Sequence, residues 1–258
     1  MSASAPAPRS APALGGFNAT LLGLEIRRAL RSLRTVILVV AMPMSFLLLY
    51  GLPYRDHHPG DGQPLARITV AMAVYGAMIG ATSCGAGVAM ERVAGWNRQL
   101  RLTPLRPLAQ VAVKTITAMV LGLIAVLAEF ALGAALGVDL PPHVWLLAGL
   151  AAWLPSAVFA LFGLFTGLVL PSQNVMQLVG PALVLLAVLG GIFIPLSLLP
   201  HAIRVVAPFT PAYGAGTLAQ SCLGGGGAGA ASVLNLLAWT GVFTAGAVWR
   251  LRQDVGRS

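Results

Sequence analysis

Charged residues are scarce in this sequence. Of its 258 residues only 9% are Asp, Glu, Lys or Arg, whereas 57% are hydrophobic, and the mean hydropathy is +0.84. Soluble domains carry about 25% charged residues, so the composition excludes an ordinary soluble fold. The two cysteines, Cys84 in an apolar run and Cys222 in a loop, exclude a disulfide-rich scaffold. We therefore predict an integral membrane protein.

Catalytic and nucleotide-binding motifs are also missing. The single lysine, Lys114, follows no glycine-rich phosphate loop, and neither a His-Glu-x-x-His nor a Gly-x-Ser-x-Gly pattern occurs. His57 and His58 stand beside Asp56 and Asp61, an arrangement that we interpret as a solvated polar loop rather than a metal site. We therefore expect no catalytic residue, no metal and no cofactor in this chain.

Six apolar segments are each close to the ~20 residues that span a bilayer core. Irregular backbone cannot face lipid, so these segments should be helices and the fold class all-α. We predict one six-span domain over 17–250, with a disordered tail over 1–16 and a cytoplasmic tail over 251–258. The predicted spans are 35–52, 68–90, 111–136, 144–170, 175–196 and 232–249.

The distribution of basic residues predicts the orientation. If both termini are cytoplasmic, only Arg55, Arg67 and Arg204 of the sixteen Lys and Arg lie outside. The positive-inside rule favours that arrangement. It also explains the net charge of +9 through anionic lipid rather than nucleic acid, which we do not expect as a partner. We expect a multi-pass protein of the bacterial plasma (inner) membrane.

Residues 17–34 are predicted to form an amphipathic helix on the membrane surface. Four apolar residues fall on one side at helical spacing, and four arginines occupy the other. The alternative is a simple stop signal before the first span. The apolar residues are Leu22, Ile26, Leu30 and Leu33, and the basic ones are Arg27, Arg28, Arg31 and Arg34.

The loop over 91–110 joins the second and third predicted spans. An acid-base pair ends the span, a glycine permits a bend, and a short helix follows that is broken before a proline. From these residues alone the loop is either a docking surface for a soluble partner or an ordinary basic loop. The residues that define it are Glu91, Arg92, Gly95, Trp96, Leu100, Thr103 and Pro104.

The segment over 191–223, which begins at the end of the fifth span, is predicted to lie on the outer side of the membrane. It is apolar but broken by prolines, and Arg204 is its only full charge. We expect short helical pieces half-buried at the outer interface. The residues that mark it are Phe193, Pro195, Pro200, Pro208, Pro211 and Tyr213.

The order of these motifs resembles the permeases of the type 2 exporter family of ABC transporters. The series Glu-Arg, Gly, Leu, Thr-Pro-Leu and Lys-Thr is similar to that family's loop after the second span. The outer series resembles its Gly-x-Phe-x-Pro, Leu-Pro and Asn-Pro-x-x-Tyr motifs, with Thr210 in place of Asn.

That resemblance implies partners and a mechanism. Such permeases form homodimers or heterodimers, and each pairs with an ATPase subunit that binds ATP and Mg. The loop over 91–110 would hold the coupling helix that docks on the ATPase, and the outer segment would form re-entrant helices. The implied cargo is an amphipathic drug, antibiotic or lipid-like metabolite, hence a role in antibiotic resistance. The alternatives are polysaccharide or glycolipid export and, from another class, a membrane scaffold without transport.

Glu129 is the only acid inside a predicted span. A charged acid at mid-membrane costs roughly 2.5–3.5 kcal/mol, so it must be neutral, paired or facing water. One interpretation is that Glu129 lies on the translocation path, where it binds a cationic cargo or takes part in gating. The other is that it is a protonated acid hydrogen-bonded to a neighbouring helix.

The spans also contain two Gly-x-x-x-Gly pairs, at 76–80 and 163–167, which predict close helix packing within the subunit.

Overall fold

A computed structural model describes residues 19–55, 64–93, 107–224 and 229–256. All regular elements in these ranges are helical, which agrees with the predicted all-α class. The α-helices are α1 (Ala19–Arg31), α2 (Leu33–Gly51), α3 (Pro64–Ala86), α4 (Val88–Val93), α5 (Pro107–Ala135), α6 (Pro142–Trp153), α7 (Ser156–Val169), α8 (Ser172–Leu189), α9 (His201–Val206), α10 (Pro211–Ser221) and α11 (Ala230–Gly256).

Five helical passages in the described ranges are long and apolar enough to cross a membrane, one fewer than predicted. They correspond to the first four and the sixth of the predicted spans. The second passage joins α3 to α4 through a turn at Gly87, and the fourth joins α6 to α7 through Leu154 and Pro155. The passages are Thr35–Tyr54, Pro64–Val93, Pro107–Ala135, Pro142–Val169 and Ala230–Gln253.

The predicted fifth span differs most from the structure. Helix α8 ends at Leu189, and its apolar part, Gln177–Leu189, is shorter than the five long passages. The chain leaves the helix because Gly191 takes a φ of +75°, in the left-handed region that favours glycine. The predicted end at residue 196 is therefore wrong.

The final helix also departs from its predicted bounds. Helix α11 begins at Ala230 and continues to Gly256, so residues 251–256 are helical and not a separate tail. The side chain of Leu251 is buried in the core, so the packed part of the helix continues beyond the predicted end of the span at residue 249.

Helix α3 is the centre of the bundle. It packs against α2, α5, α6, α7, α8 and α10, and most of its residues are buried. Close approach to α7 depends on glycine, because a Cβ at Gly163 would overlap the backbone oxygen of Thr82. The hydroxyl of Thr82 donates a hydrogen bond of 3.2 Å to the carbonyl oxygen of Phe159 on α7. Backbone contact and a side-chain hydrogen bond thus join the two helices.

The glycine pair on α3, Gly76 and Gly80, allows a similarly close approach between α3 and α5. A Cβ at Gly76 would lie 3.2 Å from Cβ of Ala125, and one at Gly80 would lie 3.1 Å from the backbone of Leu121. Both partners belong to α5. The two Gly-x-x-x-Gly pairs therefore pack helices of the same chain, as predicted.

Short pieces at one end of the bundle follow the predicted prolines. Pro195 and Pro200 precede the 3-10 helix Leu196–Leu198 and helix α9, and Pro208 lies in the 3-10 helix Ala207–Phe209. Pro211 is the first residue of α10, where a proline loses no helical hydrogen bond. Most of α9 is exposed, whereas α10 turns back among α3, α6, α8 and α11. Whether these pieces re-enter a membrane stays a prediction.

We predict that Gly163→Ala destabilises the protein, because its new methyl group would displace the backbone of α3. Overpacking of this kind costs about 1–3 kcal/mol, which thermal unfolding of the purified protein in detergent would detect. The matched control is Gly241→Ala on α11, where a Cβ meets no atom within 4 Å. Equal melting temperatures for the two variants would contradict the packing described here.

Candidate functional site

A buried ion-pair network joins three helices at one end of the bundle. Nζ of Lys114, on α5, lies 2.8 Å from Oε2 of Glu25 on α1. The same nitrogen lies 2.8 Å from Oε2 of Glu91 on α4 and donates a hydrogen bond of 2.9 Å to its Oε1. The side chains of Lys114 and Glu25 are only 6% and 9% exposed. One lysine therefore holds the first turns of α5, the end of α4 and the middle of α1 together.

Arg28 closes the network on its exposed side. Its Nη1 lies 3.3 Å from Oε1 of Glu91, and its side chain is 54% exposed. Glu91 thus stands between Lys114 and Arg28, and the four residues carry two charges of each sign. Such pairing matters because a buried charge left alone costs several kcal/mol.

The face of α1 that turns inward explains how Glu25 reaches this site. Glu25 is the residue of α1 that is buried, whereas Arg27, Arg28 and Arg31 are exposed. Leu33, assigned from the sequence to the apolar face of one continuous helix, is 69% exposed and begins α2. The helix predicted over 17–34 therefore ends at Arg31. The side chain of Arg34 lies outside the described residues, and a membrane-surface location for α1 stays a prediction.

Arg92 connects the same end of α4 to α7, at an oxygen that α11 also contacts. Its Nη1 donates a hydrogen bond to the carbonyl oxygen of Leu168, near the C-terminus of α7. Nε of Arg250, on α11, donates to that oxygen over 3.4 Å. Two cations at the negative end of a helix dipole are favourably placed. Adjacent residues of α4 therefore contact two separate sets of helices.

Much of the predicted coupling loop lies outside the described residues. That applies to Gly95, Trp96, Leu100, Thr103 and Pro104, whose roles stay predictions. Description resumes at Pro107, the first residue of α5. Glu91 and Arg92, the two predicted residues that are described, are the first two residues of the loop.

Among the described residues Glu129 lacks the hydrogen-bond partner that one of its two interpretations requires, and the translocation-path interpretation stays a prediction. Glu129 is 1% exposed, and both carboxyl oxygens are buried without a hydrogen-bond partner among the described residues. Gly122 and Gly133, which share its face of α5, contact α3 at Ala77 and Thr69. Glu129 therefore lies at the α3–α5 contact, away from water in this conformation.

The other predicted marker residues lie at the opposite end of the bundle. The Phe193 ring packs edge-on against Tyr75, with ring centroids 4.6 Å apart. Tyr213 lies in the first turn of α10, where its carbonyl oxygen accepts a hydrogen bond of 2.7 Å from Thr217. No group of three or more His, Cys, Asp or Glu residues in the described ranges is arranged to hold a metal ion. The segment 56–63, which contains His57 and His58, lies outside those ranges.

Glu25 and the pairing of Lys114 were not predicted, although the sequence carried a signal for both. Glu25 is the single acid of a helix rich in arginine, and at 100° per residue it falls at the border of the two faces, as near to Leu22 as to Arg28. An acid there needs a buried cation, and Lys114 is the single lysine of the chain. The sequence does not indicate how far apart the helices that carry them lie.

Comparison with known proteins is consistent with this architecture. The family model described as ABC-2 type transporter matches residues 18–221. The "Putative transport permease YvfS" of Bacillus subtilis (strain 168) is 25% identical over 222 residues, which cover 85% of this chain and 90% of that protein.

We predict that Lys114→Met lowers the free energy of unfolding by about 3–5 kcal/mol, because it leaves the buried carboxylate of Glu25 without its cation and leaves Glu91 with only the exposed Arg28. Thermal unfolding in detergent would measure the loss, with Arg252→Gln, an exposed arginine at the same end, as control. Adding Glu25→Gln and Glu91→Gln to Lys114→Met should recover much of it. A triple variant no more stable than the single one would contradict the pairing.

We also predict that Glu129→Leu stabilises the protein. Removing a buried carboxyl that lacks a hydrogen-bond partner recovers a desolvation cost of about 1–3 kcal/mol. Glu129→Gln keeps two buried polar atoms and should give no such gain. A melting temperature lowered by Glu129→Leu would mean that the carboxyl has a partner or meets water.

Proposed function

The chain belongs to the ABC-2 type transporter family, and on that premise we propose that it is the permease subunit of an ATP-driven exporter. A separate ATPase subunit would bind and hydrolyse ATP with Mg, since the sequence carries no phosphate-binding loop. The permease would work in the bacterial plasma membrane as a dimer of two such chains. Its cargo would be an amphipathic small molecule.

The observation that carries this proposal is the pair of contacts made by Glu91 and Arg92. They are the first two residues of the loop that would dock on the ATPase. Glu91 contacts Lys114 of α5 and, through it, α1, whereas Arg92 contacts the C-terminus of α7. A displacement of this loop would therefore act on several helices at once.

Motion would follow from the ionic character of these contacts. Buried ion pairs resist separation, because an unpaired charge is costly, so the paired helices would move together. ATP-driven closure of the ATPases would pull on α4, and α1 and α5 would follow through Lys114. Helices α7 and α11, which share the carbonyl oxygen of Leu168, would follow through Arg92.

The distribution of arginines supports a cytoplasmic location for this end. Arg27, Arg28, Arg31, Arg92, Arg250 and Arg252 all lie at the end of the bundle that carries the ion-pair network. Under the positive-inside rule this end faces the cytoplasm, together with both termini. The short α8 would complete a sixth crossing, because its two ends lie at opposite ends of the bundle.

Glu129 would bind the cargo rather than stabilise the fold. An intramembrane acid with no hydrogen-bond partner among the described residues adds no evident stability, and such residues commonly mark transport pathways. We propose that movement of α5 against α3 exposes Glu129 to a cationic, amphipathic cargo such as a drug or antibiotic.

We predict that Glu91→Gln uncouples the permease from its ATPase. The permease and its candidate ATPase would be co-expressed, purified as one complex in lipid nanodiscs and assayed for ATP hydrolysis. Losing the charge at Glu91 weakens its contacts to Lys114 and Arg28. Permease-stimulated hydrolysis should then fall about five-fold or more, within the usual range of coupling energies.

The control for this experiment is Arg252→Gln, which removes an exposed charge from the same end without touching the network. It should hydrolyse ATP at the rate of the parent. An ATPase that fails to co-purify with the parent would favour the scaffold alternative. Full stimulated hydrolysis by Glu91→Gln would refute the coupling role of this residue.

A further inference from the structure

A cavity of about 250 Å³ opens at the end of the bundle opposite the ion-pair network. The start of α3 forms one wall, the segment that follows α8 forms a second, and α10 forms the third. Most of the lining is apolar, and it includes Ile68, Ala71, Ile192, Phe193 and Leu196. Its volume suits a ligand headgroup or a short chain rather than a large solute.

The wall that contains Phe193 is held in place by aromatic packing. The Phe193 ring packs edge-on against Tyr75, which is buried, and a third ring, Phe46, lies with its centroid 6.0 Å from that of Phe193. Edge-to-face pairs of this kind are favourable beyond the area they bury. The position of the apolar wall is therefore fixed by packing within the fold.

Two polar groups of the lining, the Oε1 atom of Gln220 and the guanidinium of Arg67, lack a partner among the described residues. The carboxamide of Gln220 donates a hydrogen bond of 2.9 Å from Nε2 to the backbone oxygen of Arg67, and this leaves Oε1 buried and unpaired. The Arg67 guanidinium is exposed, and no described carboxylate lies within ion-pairing distance of it. Within the described ranges, a buried acceptor without a donor and a cation without an anion thus share one cavity.

We propose that this cavity binds an anionic amphiphile, with its phosphate or carboxylate on Arg67, a hydroxyl donor on Gln220 Oε1 and its chain against Phe193. Attraction between Arg67 and a ligand of net negative charge would contribute most of the selectivity over a zwitterionic lipid. Phosphatidylglycerol has all three features: an anionic phosphate, free hydroxyl groups and apolar chains. This site is independent of the transport proposed above, and its ligand arrives either from the bilayer or from water.

The test uses the purified full-length chain and native mass spectrometry. The chain would be incubated with equal amounts of dioleoyl-phosphatidylglycerol and dioleoyl-phosphatidylcholine, and in a second arm with decyl phosphate. We expect about ten-fold preferential retention of phosphatidylglycerol, the size of one charged hydrogen bond. Retention of decyl phosphate as well would identify water as a second source, and its absence would identify the bilayer as the source.

Three variants test whether the retained lipid binds in this cavity. Arg67→Gln should abolish the preference, whereas Arg204→Gln, an exposed arginine at the same end but outside the cavity, should keep it. Ala71→Leu should reduce retention of the anionic lipid by filling the cavity while leaving Arg67 in place. Equal losses in Arg67→Gln and Arg204→Gln, or full retention in Ala71→Leu, would overturn the proposal.

Discussion

The arrangement of the arginine-rich end depends on the ion pairs of Lys114. An ammonium group and two carboxylates are each costly to remove from water, and they are tolerated because Lys114 lies 2.8 Å from both carboxylates and Arg28 supplies the second positive charge. This requirement is specific in a way that apolar packing is not. Leucines on three helices can slide past each other at little cost, whereas a lysine between two glutamates has one favourable position. The network therefore sets where α1 and α4 lie against α5.

Packing of a second kind holds the middle of the bundle. Between α3, α5 and α7 the contacts are made by glycine, alanine and threonine, so backbones approach closely and dispersion replaces the hydrophobic effect that lipid cannot supply. Close packing of small residues transmits displacement well, because closely packed interiors are hardly compressible. A movement begun at the ionic end would reach the α3–α5 contact at Glu129 with little loss.

Composition and periodicity were sufficient to predict the helical class, the five long apolar helical passages and the close packing at the glycine pairs, because each depends on local sequence. The end of α8 was missed because an apolar run continues past Leu189 while the backbone does not, and only the positive φ of Gly191 marks the change. The network at Lys114 was missed for a different reason. Glu25 and Lys114 are 89 residues apart, and their contact is a property of how α1 docks on α5.

The two ends of the molecule treat polar groups in opposite ways, and this contrast bears on function. At the arginine-rich end Glu25, Glu91 and Lys114 are shielded from water and paired. Their ion pairs hold the helices at this end in fixed positions. At the other end Arg67 and the Oε1 atom of Gln220 have no partner in the described part of the chain, and Glu129 between the ends is equally unpaired. Satisfied polar groups hold a fold together, whereas unsatisfied ones leave binding energy available for something else. A permease needs both: a stiff connection where force enters, and available polar groups where ligands meet the protein.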